Sequence, residues 1–252
     1  MKYVIALIAL ALAGCSQQAP RFTRTQIDRA LQGAPGAAQP GQIVAVEKAF
    51  ARAARDEGQW TAFAEYAAPG AILHGRGGGI AAAGWLSAQS DPAEAVQWAP
   101  RAVWMSCDGS LAVSQGRFLD PDGKVGTFVT VWQQQPDRSY KWVYDVGAPD
   151  NPQPPAPPPE APRGEFDIVV TGIDSIEGRT ADCARAGEDV AAMPQALAAA
   201  RSTNPEYSSR DGTLSYTWAH SQTGERHFVA TWLRDGEWQT ELDQRFAPAT
   251  SN

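Results

Sequence analysis

Three histidines are the residues of this chain whose chemistry is most accessible near neutral pH. His74 ends a short apolar segment, and a neutral imidazole there could act as a general base because its pKa lies near working pH. The alternative is a histidine that is hydrogen-bonded in the wall of a pocket. His220 and His227 flank Thr223-Gly224, and if that pair is a hairpin tip, the two imidazoles face each other across the strands. Zinc needs three or four protein ligands, so we expect no metal.

A glycine-rich segment, residues 75–79, follows His74 directly. Such a segment between a strand and a helix could hold a phosphate group on its backbone N–H groups. No Gly-Lys-Ser/Thr follows, however, and Ile80 interrupts the dinucleotide-binding pattern. We therefore interpret the segment as a flexible connector and expect no cofactor. The chain also lacks the Gly-x-Ser-x-Gly pattern of a serine hydrolase.

The N-terminus carries the most specific motif of the chain. Lys2 and an apolar stretch over residues 4–13 lead to Leu-Ala-Gly-Cys, which ends at Cys15. This arrangement resembles the lipobox of bacterial lipoproteins and implies a signal peptide at residues 1–14, acylation of Cys15 and the lipid bilayer as a partner. Ser16, rather than Asp, follows the cysteine, which implies a periplasmic protein anchored to the outer membrane. The alternatives are an ordinary signal peptide or a membrane-buried N-terminal helix.

Composition and the other cysteines agree with that location. The chain has 252 residues, is 43% hydrophobic and contains nine Trp, so it can bury a core. Its net charge of −7 argues against a nucleic-acid partner, and the short apolar runs exclude a polytopic transporter. In an oxidising compartment Cys107 and Cys183 could form a disulfide. The alternative is two separate buried thiols.

A proline-rich segment divides the chain. Residues 148–163 contain eight of the 19 prolines and favour an extended polyproline conformation. We predict a tether at residues 15–40, a first domain at 41–149, a linker at 150–163 and a second unit at 164–248. In the first domain, Ile43, Val46 and Phe50 recur at spacings of three and four, with charged residues such as Glu47 between them, and predict a helix. Further helices are predicted over residues 60–66 and 80–89, and strands over residues 71–74, 98–106, 111–118, 126–133 and 140–146.

Short motifs of the first domain occur in a recognisable order. They are E-K-A-F-A-R-A-A at 47–54, W-A-P at 98–100, D-G-S-L-A-V-S-Q-G at 108–116, T-F-V-T-V-W at 127–132 and Y-K-W-V-Y-D-V-G at 140–147. The set resembles the DUF4440 branch of the SnoaL-like, NTF2-like superfamily. The resemblance implies an α+β cone, in which N-terminal helices pack on a curved antiparallel sheet around a hollow that is often lined by aromatic residues. In ketosteroid isomerase-like members a carboxylate near the strand of His74 abstracts a proton, and that carboxylate is absent here.

The second unit contains a partial copy of the first. S-x-D-G-S/T-L occurs at 106–111 and 209–214, and F-V-x-x-W occurs at 128–132 and 228–232. We therefore predict a second, smaller β-meander, preceded by strands at 166–171 and 175–180 and a helix at 184–201. Regular alternation places Asp145 on one face of its strand, and the recurrence of Asp243 in the copy suggests a structural role for Asp145. The opposite face then carries Tyr140, Trp142, Tyr144 and Val146.

Three functions remain open. The first is a non-catalytic, envelope-tethered module that binds an apolar small molecule or a protein partner, in a pocket that we expect to include Trp60, His74, Trp98, Trp104 and Tyr144. The second is a ketosteroid isomerase-like or hydratase-like enzyme with His74 as its base. The third is a structural envelope protein that uses its second unit for assembly. A hollow, aromatic interior would favour binding, whereas a filled one would favour assembly.

Overall fold

A computed structural model describes residues 37–155, 175–183 and 207–248. The signal peptide, Cys15, the strand predicted at 166–171 and the helix predicted at 184–201 lie outside the described residues. Within the described part, about 48% of residues are in strands and 18% in three helices. None of those helices is both long and apolar enough to cross a membrane.

The helices precede most of the strands. Helix α1 spans Pro40–Asp56, α2 spans Gln59–Tyr66 and α3 spans Ala82–Leu86. The spacing that predicted α1 also gives its buried face, on which Ile43 and Phe50 are at most 1% exposed. The chain passes from α1 to α2 at Gly58, whose φ of 123° suits glycine.

Seven strands form a mixed sheet. They are β1 (Ala67–Gly75), β2 (Gly78–Ala81), β3 (Gln97–Met105), β4 (Leu111–Leu119), β5 (Val125–Gln134), β6 (Tyr140–Pro149) and β7 (Glu177–Thr180). Their order in the sheet is β2-β1-β6-β5-β4-β3-β7. Strands β1 and β6 pair in parallel, as do β3 and β7, and the other neighbours are antiparallel.

Three more strands form the meander that the internal copy predicts. They are β8 (Leu214–His220), β9 (Arg226–Arg234) and β10 (Glu237–Phe246), in the order β10-β9-β8. A two-residue turn, Asp235-Gly236, joins β9 to β10, and both of its residues have positive φ as a tight hairpin requires.

The predicted α+β, NTF2-like cone is wrong. The described chain is mainly β, with a seven-stranded mixed sheet and a separate three-stranded sheet instead of helices packed on one antiparallel sheet. Two local features explain part of the difference. Residues 80–89 were predicted to be helical, but the positive φ of Gly78 lets the chain reverse into β2 and leaves only the five-residue α3. The parallel pairing of β7 with β3 joins residues that are distant in sequence, which local patterns do not reveal.

Apolar clusters cover both faces of the seven-stranded sheet. On one face, Phe50 of α1 packs with Trp132 and Trp142. On the other face, Val131 and Tyr144 belong to a cluster that the three-stranded sheet completes with Phe228 and Trp232, among others. The three-stranded sheet therefore packs on the larger one.

A disulfide links two neighbouring strands of the larger sheet, and hydrogen bonds join the two sheets. Cys107, just after β3, and Cys183, just after β7, form this disulfide, as the sequence suggested. The two S-x-D-G-S/T-L turns exchange equivalent hydrogen bonds: the Cys107 N–H donates to Thr213 Oγ1 over 2.9 Å, and the Arg210 N–H donates to Ser110 Oγ over 2.9 Å. Each turn thus uses its second residue as donor and its fifth as acceptor, so the copies meet in a pseudo-symmetric contact.

Candidate functional site

A cavity of about 360 Å³ lies between the helices and the seven-stranded sheet. Aromatic side chains supply much of its wall, with backbone and polar atoms from β1 and β6 and one residue of the second sheet. Its lining is Gln59, Trp60, Phe63, Leu73, His74, Gly75, Arg76, Ile80, Trp85, Val96, Trp98, Phe118, Phe128, Asp145, Val146, Gly147, Pro149 and Arg226.

Three tryptophans give the cavity a rigid aromatic rim. The rings of Trp60 and Trp85 meet edge to face with centroids 4.9 Å apart. Phe63 contacts Trp60 at 5.5 Å and Trp98 at 5.9 Å, again edge to face. Such geometry is favourable for aromatic pairs, and each ring remains only half-buried. The rim therefore presents apolar surface to whatever enters.

Asp145 places a carboxylate in the cavity wall. Its Oδ2 accepts a hydrogen bond from Thr130 Oγ1 over 2.7 Å, and Thr130 is its partner on β5. Burial raises the pKa of Asp145 to about 6, although the hydrogen bond from Thr130 acts in the opposite direction. The group therefore titrates close to neutral pH, where a carboxylate can accept or donate a proton.

A β-bulge in β6 explains why Asp145 faces the cavity. Trp132 pairs with Trp142, but its neighbour Val131 pairs with Tyr144, so Val143 is an extra residue. Because side chains alternate with a period of two, one extra residue exchanges the faces of everything after it. Trp142 lies on the helix side and Tyr144 on the other side, which corrects the prediction that they share a face.

Glu47 of α1 lies behind the aromatic rim and is fully buried. Trp98 Nε1 donates to its Oε1 over 2.9 Å, while Ser114 Oγ and Trp132 Nε1 donate to its Oε2 over 2.6 and 3.1 Å. Burial nevertheless raises the pKa of Glu47 to about 7, and the nearby Asp145 carboxylate adds to the rise. The bond from Trp98 fixes one ring of the cavity rim to this buried acid.

His74 sits between the two sheets at the cavity wall and is 2% exposed. Its Nδ1 lies 2.7 Å from Tyr144 Oη and its Nε2 lies 3.1 Å from His220 Nδ1. Burial, together with the nearby Arg226 and His220, lowers the pKa of His74 to about 4. His74 is thus neutral at pH 7 with both ring nitrogens engaged, which suits a hydrogen-bonded wall residue better than a free base.

Arg226 reaches the same region from β9 and is 5% exposed. Its Nη1 donates to the carbonyl oxygens of His74 and Gly147 over 3.1 and 3.0 Å. Its Nε is buried and has no hydrogen-bond partner among the described residues. Burial lowers the pKa of Arg226, and the positive charge of Arg76 acts in the same direction.

The structure brings together three of the five residues expected in the pocket. Trp60, His74 and Trp98 line the cavity. Tyr144 and Trp104 instead belong to the cluster between the sheets. The Tyr144 hydroxyl contacts His74 there, and Trp104 Nε1 donates to Glu241 over 2.9 Å.

A second bulge accounts for the position of Trp104. Pro100 pairs with Gly116 and Ala102 pairs with Gln115, so Arg101 is an extra residue in β3. Regular alternation would put Trp98 and Trp104 on the same face, but the bulge sends Trp104 to the opposite one.

The two remaining histidines are not cross-strand partners. His227 pairs with Ala219 and His220 pairs with Arg226, so the predicted pairing is wrong by one residue. The Ser221 N–H donates to the Glu225 carbonyl oxygen, so the loop of this hairpin consists of residues 222–224. A two-residue loop at Thr223-Gly224 would instead have paired His220 with His227. No group of three or more metal-ligating side chains occurs in the described residues.

Comparison with other proteins does not narrow the function. The sequence matches no profile of a known protein family and no curated protein significantly. Function therefore has to be argued from the cavity and its residues.

Proposed function

We propose that this protein is a non-catalytic binding module whose cavity takes an apolar small molecule. The observation that carries the proposal is the aromatic-lined cavity of about 360 Å³. Sites for small molecules are typically about 300–1,000 Å³, mostly apolar, with a few convergent polar groups. Trp60, Trp85 and Trp98 provide the apolar surface, and Asp145 and Arg226 provide polar groups at the wall.

An open cavity also bears on the assembly hypothesis. A purely structural role predicts a filled interior, because empty space forfeits packing contacts. The half-buried rings of Trp60 and Trp85 instead leave apolar surface next to that space. This arrangement supports ligand binding over a structural envelope role.

The location of the module is part of the proposal. The Leu-Ala-Gly-Cys motif that ends at Cys15 supports an acylated cysteine that holds the protein on the periplasmic side of the outer membrane. Several acyl chains anchor a protein firmly, at about 0.8 kcal/mol for each buried CH₂. The module would then meet its ligand at the membrane surface.

Native mass spectrometry of the full chain in detergent, combined with titration of 1-pyrenebutanol, tests the binding function. Pyrene absorbs where tryptophan emits, so binding beside Trp60 or Trp85 should quench tryptophan fluorescence. We expect saturable quenching, and an added mass when the natural ligand survives purification.

A matched pair of variants locates the binding. Val96→Trp fills the cavity and should abolish quenching, because Val96 lines it. Leu119→Trp adds the same ring at a position that is 44% exposed and outside this cavity, and it should bind like the wild type. A wild type that shows neither added mass nor saturable quenching would refute the binding function.

A second candidate is an enzyme, and one observation favours it. Asp145 lies in the cavity wall with a pKa raised to about 6, in the range where a general base works well. It is better suited to that role than His74, whose nitrogens both have partners. The test is to incubate wild type and Asp145→Asn with the ligand found by mass spectrometry. Conversion by the wild type alone would establish the enzyme, and equal recovery of unchanged ligand would exclude this role.

A further inference from the structure

Arg226 is a buried cation at the cavity wall without a counter-charge. It is 5% exposed, and no carboxylate of the described residues lies within ion-pair distance of it. Its Nη1 donates hydrogen bonds to two backbone carbonyls, those of His74 and Gly147. Its Cζ lies 5.5 Å from the centre of the Phe246 ring, and its buried Nε has no hydrogen-bond partner among the described residues.

Such a charge is costly to bury, and arginine cannot relieve the cost by losing its proton. Asp145, in contrast, can become neutral, since its pKa already lies at about 6. Of Asp145 and Arg226, the arginine is therefore the one that requires an opposite charge. A ligand is the available source of that charge at this position.

Resting on the binding function above, we propose that the ligand is an apolar molecule that ends in a carboxylate, which pairs with Arg226. A guanidinium offers two parallel N–H groups to two carboxylate oxygens, and such bonds are stronger than those between neutral groups. Arg76, an exposed residue of the same cavity lining, adds a second positive charge.

The orientation of the ligand follows from the strand geometry. Gly147, whose carbonyl binds Arg226, lies two residues beyond Asp145 on β6, or about 7 Å along the strand. The ligand carboxylate therefore lies at the Arg226 end, away from the Asp145 carboxylate. Its apolar body then extends along Trp60 and Trp85.

Two probes with the same apolar body and different head groups test this inference. 1-Pyrenebutanoate carries a carboxylate, and 1-pyrenebutanol carries a neutral hydroxyl. Both are titrated into the full chain in detergent at pH 8 while tryptophan quenching is followed. The wild type should bind the acid about 10-fold or more tightly than the alcohol, the magnitude expected of one charged hydrogen-bonded pair.

Substitutions at the two arginines assign the preference. Arg226→Gln should reduce the acid-to-alcohol ratio to about 1, because the contact that distinguishes the carboxylate from the hydroxyl is lost. Arg226→Lys keeps the charge and should keep part of the preference. Arg76→Gln should lower acid binding by about 2- to 3-fold, since an exposed charge contributes less.

Each outcome is informative. Equal binding of acid and alcohol by the wild type would overturn the carboxylate inference and leave the binding function intact. An unchanged ratio in a folded Arg226→Gln would also overturn it. If neither probe binds, the binding function itself fails. If Arg226→Gln does not fold, the wild-type ratio and its decrease in Arg76→Gln still decide the question.

Discussion

Replacing Glu47 with glutamine should remove a large pH-dependent cost from the stability of this protein. Burial raises the pKa of Glu47 from 4.5 to about 7, so the folded state holds a proton that the unfolded state releases over that range. Stability therefore falls as pH rises from about 4.5 to about 7. One pH unit corresponds to about 1.4 kcal/mol, so the loss attributable to Glu47 is about 3 kcal/mol at pH 8.

Glutamine can occupy the site without a new unpaired group. Its carbonyl oxygen can accept from Trp98, and its amide can donate to Ser114 Oγ, which also lies 3.0 Å from Trp132 Nε1. We therefore expect Glu47→Gln to match the wild type near pH 4.5 and to be more stable by about 3 kcal/mol at pH 8. The pKa of Asp145 is also raised, so this carboxyl makes the stability of both proteins fall as pH rises. That contribution cancels in the difference between the two proteins, apart from the electrostatic interaction of Asp145 with Glu47.

Urea unfolding followed by fluorescence at several pH values between 4.5 and 8.5 measures the difference. Glu57→Gln is the matched control, because Glu57 is exposed just after the same helix and its substitution should give a flat difference. A Glu47→Gln difference that does not change with pH would refute the reasoning. A variant less stable than the wild type at pH 8 would show that the three donors stabilise the charged carboxylate more than burial penalises it.

Three further predictions concern the disulfide, a packed glycine and the anchor. Joint replacement of Cys107 and Cys183 by alanine should lower the free energy of unfolding by about 2–4 kcal/mol, because the bridge closes a loop between residues 76 apart; an unchanged urea midpoint would contradict this. Gly116→Ala should cost about 1–3 kcal/mol, since a Cβ there would overlap the neighbouring strand and Phe128, whereas Gly84→Ala, with open space, should cost nothing in the same assay. Cys15→Ser should move the protein out of the membrane fraction, and its retention there would rule out acyl anchoring.

Local sequence patterns predicted helix α1 and the strands β3 to β6, but they did not predict on which face of the sheet each side chain lies. The spacing of Ile43 and Phe50 predicted α1, and the turn residues predicted the hairpins of β3 to β6. The extra residues Arg101 and Val143 then reversed the faces of the following side chains. A bulge depends on pairing with a neighbouring strand, so alternation within one strand cannot locate it.

Sequence patterns also failed to place the acidic residues in and behind the cavity wall. Glu47 lies four residues after Ile43 and three before Phe50, so the helical spacing itself places it on the buried face. Its charge, in contrast, is typical of the polar positions between the apolar ones. The recurrence of Asp243 in the copy suggests a structural role for Asp145, yet Asp243 is exposed and pairs with His227, whereas Asp145 lines the cavity.

No sequence pattern indicated that Arg226 would lie at the cavity. It belongs to the second sheet, and it reaches the cavity through contacts with residues about 80 and 150 positions earlier in the chain. Only the packing of one sheet against the other brings it there. The candidate site therefore depends on both parts of the chain, although each part was predicted separately.

The strands at the two edges of the seven-stranded sheet, β2 and β7, have four residues each. Unpaired N–H and C=O groups on a long edge strand can add a strand from another molecule, and short edges limit such aggregation. Strand β7 pairs with Ala102–Met105, the last part of β3, and Cys183 follows β7 by three residues. The disulfide thus holds in place the strand that covers this part of β3, and reducing conditions would weaken the protection of this protein against edge-to-edge association.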